Sequence, residues 1–252
     1  MAARRRRGSG RNRRTQAKIS IPALILICVI LLFYDRFPQS GGGEAYYLSE
    51  PIESVEEVPE YSGKPYVYIN DNEPDFPEEE MTETSFESYS ELDGLGRCQT
   101  ACANIGQDLM PTEKRESISE VKPTGWQHSE YDFVDGESLY NRCHLIGFQL
   151  TGENANEENL ITGTRYMNVN GMLPFENMVA EYIDRTDNHV LYQVTPVFEG
   201  DELVARGVEM EGYSVEDHGE GIRFHVFAYN VEPGVEIDYE TGDNWLADDK
   251  PW

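Results

Sequence analysis

The chain has 252 residues, 47 of them acidic and 20 basic, so its formal net charge is −27. Hydrophobic residues make up 39% and aromatic residues 11%, which is enough for a folded core and excludes a wholly disordered acidic chain. A charge this negative also argues against a protein whose entire surface must attract nucleic acid.

The charge is divided unevenly along the chain. The first 36 residues hold nine of the basic residues and one acid, whereas the net charge from residue 37 onward is −35. A basic tail, residues 1–18, precedes the apolar run 19–34, ISIPALILICVILLFY. Sixteen helical residues span roughly 24 Å, slightly less than a hydrocarbon core of about 30 Å. Flanking residues and local thinning of the bilayer can make up the difference.

We predict that residues 19–34 form an uncleaved transmembrane signal anchor. The alternative is a cleaved signal peptide, but no clean small-x-small cleavage site adjoins the apolar run. The positive-inside rule then leaves the tail in the cytoplasm and the acidic bulk outside a single-pass membrane protein. If the signal is cleaved, the protein is secreted instead.

Residues 35–60 follow as an acidic flexible linker, with three glycines at 41–43 and many glutamates. Residues 61–252 are predicted to form one extracellular α+β domain. The oxidising compartment makes one disulfide plausible, from Cys98 or Cys102 to Cys143, since Cys98 and Cys102 lie too far apart along one strand to bridge each other. We expect a monomer, and no protein partner is predicted.

The domain begins with a strand signal at 66–69 and a weakly alternating segment at 97–105. A strand is predicted around 139–140, a helix over 159–168 and a second helix that starts near Pro174. Three strands then follow, over 189–198, 203–213 and 222–230.

The block that carries chemistry begins with Asn141-Arg142-Cys143-His144. Asn159, Asn168 and Glu176 follow in that order. In this order and spacing the sequence resembles the DNA/RNA non-specific endonuclease family, close to its streptococcal secreted and competence nucleases. The family motif is Asp-Arg-Gly-His, so this chain departs from it at Asn141 and Cys143. The resemblance covers residues 61 to about 245.

The resemblance implies a ββα-metal, or His-Me finger, core with an antiparallel sheet and flanking helices. It implies one Mg²⁺, with Mn²⁺ as an alternative, held by Asn168 with Glu176 as a second or water-mediated partner. It makes His144 the general base, with Asn159 ordering the site and Arg142 contacting phosphate or shaping the cleft. Asn141 could orient His144 only through a neutral hydrogen bond, and Cys143 could form a disulfide or fill the space of the family's glycine.

These roles agree with the needs of phosphodiester hydrolysis, namely an activated water and a cation for the developing charge. We therefore expect a sequence-non-specific endonuclease acting on DNA, with RNA as a further candidate substrate. The alternative is a catalytically weak surface module that binds or takes up nucleic acid. The remaining histidines have no matching context and are interpreted as structural. They are His128, His189, His218 and His225.

The net charge of residues 97–185 is −7, the least negative part of the acidic bulk. We therefore predict a small basic or neutral cleft around His144. Its expected substrate-binding cations are Lys114, Arg115, Lys122 and Arg165. The other basic residues of the segment, expected near His144 as well, are Arg97, Arg142 and Arg185.

Overall fold

The computed structural model describes residue 56 and residues 58–77 and 81–247 of the chain. Within these residues, strands dominate and two α-helices lie between them. The elements are β1 Tyr66–Tyr68, β2 Phe86–Tyr89, β3 Ala101–Ile105, β4 Tyr140–His144, α1 Phe148–Thr151, β5 Leu160–Thr164, α2 Leu173–Thr186, β6 Val190–Val197, β7 Gly207–Ser214, β8 Arg223–Tyr229, β9 Val235–Ile237 and β10 Asn244–Leu246.

Six strands form an antiparallel sheet in the order β1-β8-β7-β6-β3-β2. Two antiparallel pairs, β4 with β5 and β9 with β10, lie outside it. The long strands β6, β7 and β8 are joined in sequence order, so they pair as neighbours along the chain. The predicted α+β class with an antiparallel sheet is confirmed.

Alternation along the strands gives the six-stranded sheet two different faces. On β7, Val208 and Met210 belong to the main hydrophobic core, which also contains the apolar stripe of α2. Glu209 and Glu211 alternate with them in sequence and therefore point to the opposite face. Two smaller apolar clusters, one around Leu191 and one around Phe227, cover parts of that second face.

Helix α2 follows the predicted pattern. Pro174 lies in its first turn, where a missing N–H costs no hydrogen bond. Its buried stripe of Phe175, Val179 and Ile183 packs against the sheet. Each fully buried apolar side chain of this kind stabilises a fold by about 1.5–3 kcal/mol. The helix ends at Asp187, whose φ of 61° is left-handed.

The helix predicted over 159–168 is wrong for residues 160–164, although residues 165–168 are helical. Residues Leu160–Thr164 form β5, every residue of which is buried and paired with β4. The β-branched Ile161 and Thr162 favour a strand once a partner strand is present, and that partner is distant in sequence. A π-helical turn, Met167–Met172, then leads directly into α2.

The predicted disulfide is also wrong, because Cys98, Cys102 and Cys143 are all present as thiols. Cys98 Sγ donates to the carbonyl oxygens of Glu157 at 3.1 Å and Leu160 at 3.2 Å. Cys102 lies in a cluster on the second face of the sheet, away from the main core that contains the other two. Cys143 fills space instead, since a Cβ at Gly163 would lie 2.4 Å from its Sγ.

The end of the predicted linker packs on the domain. Val58 is buried in the apolar cluster around Phe227, and the hydroxyl of Tyr229 donates to the carbonyl oxygen of Pro59. The predicted tail, the predicted anchor at 19–34 and most of the linker lie outside the described residues. None of the helices within the described part of the chain combines the length and apolarity that a membrane span requires.

Candidate active site

A cavity of about 680 Å³ opens beside the ββα unit made by β4, β5 and α2. It brings together most of the motif residues singled out in the sequence. Its polar and charged lining residues are Arg115, Ser138, Asn141, Arg142, His144, Gln149, Arg165, Asn168 and Glu176.

His144 closes β4 and is buried, with 6% of its surface exposed. Its Nε2 lies 2.7 Å from the carbonyl oxygen of Asn154. A carbonyl only accepts, so Nε2 carries the proton and Nδ1 keeps a lone pair. Burial lowers the pKa of His144 to about 4, the Asn154 carbonyl opposes this, and the nearby Arg115 charge adds to it. The ring is therefore a neutral base near pH 7.

Arg115, which lies on a loop distant in sequence, contacts Nδ1 of His144. Its Nη2 lies 3.4 Å from His144 Nδ1, so the guanidinium donates a long hydrogen bond toward the basic nitrogen. A cation placed there is positioned to meet a phosphate oxygen beside the base.

Asn168 lies in the π-helical turn before α2. The N–H of Leu173 donates to its carbonyl oxygen, five residues back, which fixes the turn. Its side-chain Nδ2 donates to Asn141 Oδ1 at 3.3 Å. That bond uses the amide nitrogen and leaves Oδ1 as the side-chain atom suited to a cation. Asn141 therefore orients Asn168, whereas the ring of His144 is oriented by Asn154.

Glu176 lies in the first turn of α2, where the helix dipole favours an acid. A Cβ at Gly147 would lie 2.6 Å from its Oε2, so the carboxyl group packs directly against that glycine. Burial raises the pKa of Glu176 to about 7, while Gln149 and Arg115 act in the opposite direction. An amide oxygen at Asn168 and a carboxylate at Glu176, beside space for water, are the hard oxygen donors that Mg²⁺ takes.

Asn159 is fully buried and does not line the cavity. Its Oδ1 accepts from the N–H of Ile146 at 2.9 Å and its Nδ2 donates to the carbonyl of Ile146 at 3.0 Å. The side chain thus holds the segment that leaves β4 just after His144, which is a positioning role.

Arg142 lines the cavity, but its guanidinium is already engaged. Nε donates to the carbonyl of Val121, Nη2 donates to the carbonyl of Ser119 at 2.9 Å, and the group stacks 4.0 Å over the ring of Trp126. These contacts fasten the loop before β4 to the wall of the cavity.

The predicted cluster of cations forms only in part. Arg115, Arg142 and Arg165 line the cavity, while Lys114 and Lys122 line two other depressions. Arg97 pairs with Asp93 at 2.7 Å, and Arg185 lies in the last turn of α2. The expectation that all seven basic residues surround His144 is wrong, because only three of them line the cavity.

The cavity lining nevertheless holds three arginines and a single acid, Glu176. The predicted basic cleft on an acidic body is therefore present, and it is formed by fewer residues than expected. Arg165 is held there by Asp135 at 2.7 Å and by Asn141 Oδ1 at 3.3 Å.

Sequence reasoning did not identify Asn154 or Trp126. Asn154 acts through its backbone carbonyl, which no side-chain pattern can reveal. Trp126 lies in a loop, and its contact with Arg142 depends on how that loop returns to β4.

Comparison with known proteins identifies relatives of this chain. A sequence profile of the family described as DNA/RNA non-specific endonuclease matches residues 78–216. A deoxyribonuclease from Streptococcus dysgalactiae subsp. equisimilis is 33% identical over 196 residues, which cover 61% of this chain. The chain spans 59% of that relative's length.

Two solved nucleases share the fold. The crystal structure of NucA from Streptococcus agalactiae with magnesium ion bound matches with a TM-score of 0.65 at 21% identity, covering 77% of this chain and 92% of NucA. The structure of Sda1 nuclease with bound zinc ion matches with a TM-score of 0.60 at 26% identity, covering 77% and 99%.

The family profile covers more than half of the chain and includes β4, β5 and α2, which carry the cavity. The chain belongs to the DNA/RNA non-specific endonuclease family.

Proposed function

We propose that this protein is a metal-dependent endonuclease that hydrolyses phosphodiester bonds of DNA without regard to sequence. The observation that carries the proposal is the state of His144. Its Nε2–H is fixed on the Asn154 carbonyl, and its neutral Nδ1 faces a basic cavity that also holds Asn168 and Glu176. Family membership and the deoxyribonuclease relative support the same activity.

The proposed reaction begins at Nδ1 of His144, which takes a proton from water as the water oxygen attacks phosphorus. The bond between phosphorus and one ester oxygen then breaks, the departing oxygen takes a proton from solvent water, and His144 releases its extra proton to solvent. General-base catalysis of this kind contributes typically about 10²–10⁴-fold. The Asn154 carbonyl stabilises the imidazolium, because the ring keeps its Nε2–H bond throughout.

Asn168 and Glu176 would hold Mg²⁺, which when bound supplies positive charge to the phosphate and the departing oxygen. Asn141 keeps the Asn168 amide in place by accepting from Nδ2. Arg115 would bind a non-bridging phosphate oxygen beside Nδ1, since its Nη2 already lies 3.4 Å from that atom.

Lack of sequence preference follows from the lining. Phosphates are common to every sequence, and the charged groups at the cavity are suited to phosphate contacts. The acidic remainder of the domain lowers the affinity for nucleic acid outside the cavity. We further propose that residues 19–34 anchor the protein, so that the acidic domain cuts outside the cell.

The test is a plasmid-nicking assay with the full-length protein and Mg²⁺. Wild type should convert supercoiled plasmid to nicked and linear forms, and EDTA should stop the reaction. His144→Ala should cut at least about 100-fold more slowly. The matched control is His128→Ala, because His128 is an exposed histidine outside the cavity lining.

Equal cutting by His144→Ala and wild type would refute the assigned base. Wild type that retains plasmid in a gel-shift assay but never cuts it would favour the alternative, a surface module that only binds nucleic acid. A structured RNA run in parallel decides whether the substrate range extends beyond DNA.

A further inference from the structure

The second face of the six-stranded sheet, opposite α2, carries a buried polar row between its two apolar clusters. Glu209 and Glu211 lie on β7, and His225 on β8 is the direct cross-strand partner of Glu211. Their exposed fractions are 3%, 1% and 6%. Gln193 on β6 continues the row as the partner of Glu211 on the other side. Charged groups are rarely buried to this extent unless they are paired or bind a metal.

The three side chains converge. His225 Nε2 lies 2.6 Å from Glu209 Oε1, and Nδ1 lies 3.6 Å from Glu211 Oε1. One ligand atom from each residue lies within 4.8 Å of the other two. Two carboxylates with one imidazole between them form a group of net negative charge, which attracts a divalent cation.

The histidine is oriented as metal-binding histidines are. Its Nδ1 lies 3.0 Å from the carbonyl oxygen of Glu73, an acceptor that requires a proton on Nδ1. When the ring is neutral and Nδ1 carries the proton, the lone pair of Nε2 points at Glu209 Oε1. Two atoms that both carry lone pairs approach this closely only around a shared proton or a cation.

The cluster is covered by a segment with an unusual backbone. Asn70, Asp71 and Asn72 have φ values of 47°, 54° and 65°, the left-handed region that non-glycine residues seldom adopt. Two hydrogen bonds hold the cover down: Asn72 Oδ1 accepts from the N–H of His225 at 3.1 Å, and the N–H of Asp75 donates to Glu211 Oε1 at 2.8 Å.

We propose that Glu209, Glu211 and His225 bind a structural divalent transition metal, for which Zn²⁺ is the best fit. An imidazole nitrogen with carboxylate oxygens suits Zn²⁺ better than Mg²⁺ or Ca²⁺, which take oxygen alone. The metal joins β7 to β8 beneath the covering segment. The site lies on the opposite face of the sheet from α2 and is independent of the proposed nuclease chemistry.

The experiment uses full-length protein stripped with EDTA, dialysed and titrated with Zn²⁺, with bound zinc counted by mass spectrometry. Asn168→Ala serves as the background, because it weakens the candidate active-site metal. This variant should still bind one equivalent of Zn²⁺, and its melting temperature should rise by about 5 °C or more. Adding Glu209→Gln and Glu211→Gln should abolish both effects while preserving size and hydrogen bonding.

If the Asn168→Ala protein with both glutamine substitutions fails to fold, Co²⁺ is bound to Asn168→Ala in place of Zn²⁺. Adding His225→Gln to that protein should then remove the visible absorption of the bound Co²⁺. Zinc binding that persists in the protein with Asn168→Ala, Glu209→Gln and Glu211→Gln overturns the proposal. An Asn168→Ala protein that binds no zinc overturns it as well. In that case the cluster is a histidine–carboxylate ion pair. Plasmid nicking is scored separately, so failure of this site is distinguishable from failure of the nuclease.

Discussion

Two buried histidines on opposite sides of this molecule behave in opposite ways. Burial lowers the pKa of His144 to about 4. The charge of Arg115 adds to this, and the hydrogen bond to the Asn154 carbonyl opposes it only in part. Burial also acts to lower the pKa of His225, but the hydrogen bond with Glu209 and the charge of Glu211 outweigh it, so the pKa is raised. Burial acts in the same direction on both rings, so the different neighbours account for the opposite directions of the two pKa shifts.

The two protonation states suit two different roles, one in proton transfer and one in holding strands together. A base must be neutral to accept a proton, and a neutral imidazole beside arginines meets that need at the cavity. On the other face two carboxylates hold the imidazole in a polar row that ties two strands together. The predictions below test whether the His144 side alone carries the chemistry.

The largest effect is expected at Asn168. Asn168→Ala removes the amide oxygen assigned to Mg²⁺ and should lower kcat/KM for plasmid cutting by about 10³-fold. Higher Mg²⁺ should restore part of the rate. Asn188→Ala, which changes the same residue type at the other end of α2, is the control, and an equal loss in that variant would mean that the helix, not the ligand, was damaged.

The protonation of His144 should appear in stability. Its unfolded pKa is near 6.5 and its folded pKa is about 4, so the unfolded chain binds the extra proton in that window. Stability from the neutral ring is therefore complete above pH 6.5 and is lost as pH falls toward 4, by about 3 kcal/mol at most. Urea unfolding at several pH values should show this loss in wild type.

The comparison protein for that measurement is His144→Gln, which keeps an amide donor for the Asn154 carbonyl. Glu176 has the opposite slope, since its raised pKa favours the fold below pH 7, but it is present in both proteins and its effect cancels. A difference between the two proteins that stays constant from pH 7.5 to 4.5 would contradict a depressed pKa at His144.

A smaller effect is expected at Arg115. Arg115→Ala removes the guanidinium beside Nδ1 and should reduce kcat/KM by about 10–100-fold. Both a lower kcat and a higher KM should contribute. Arg185→Ala removes the same charge from the last turn of α2 and should change the rate little. Parallel losses in both variants, relieved by low salt, would indicate a general charge effect instead.

The smallest effect is expected at Asn141. Asn141→Asp restores the first residue of the family motif and keeps an oxygen acceptor for Asn168 and Arg165. We expect the nicking rate to stay within about 3-fold of wild type, because the hydrogen bonds are retained and strengthened on the Arg165 side. A loss of more than 100-fold would show that a neutral side chain is required at position 141.

Much of the fold and site could be predicted from local pattern. Helix α2 was predictable, because Pro174 favours its first turn and apolar residues repeat at helical spacing. The strands around His225 and Leu191 were predictable from β-branched and aromatic runs. The segment 160–164 was not, because its glycine-containing sequence becomes a strand only when β4 lies beside it.

The sequence by itself determined the order His144, Asn159, Asn168 and Glu176, and with it the expected chemistry of the cavity. Tertiary structure decided how those residues act. Asn141 reaches Asn168, and Arg115 reaches the ring of His144 from 29 residues away. Cross-strand register also brought Glu211 opposite His225. Contacts of this kind depend on strand pairing and loop paths between distant segments, which no local pattern encodes.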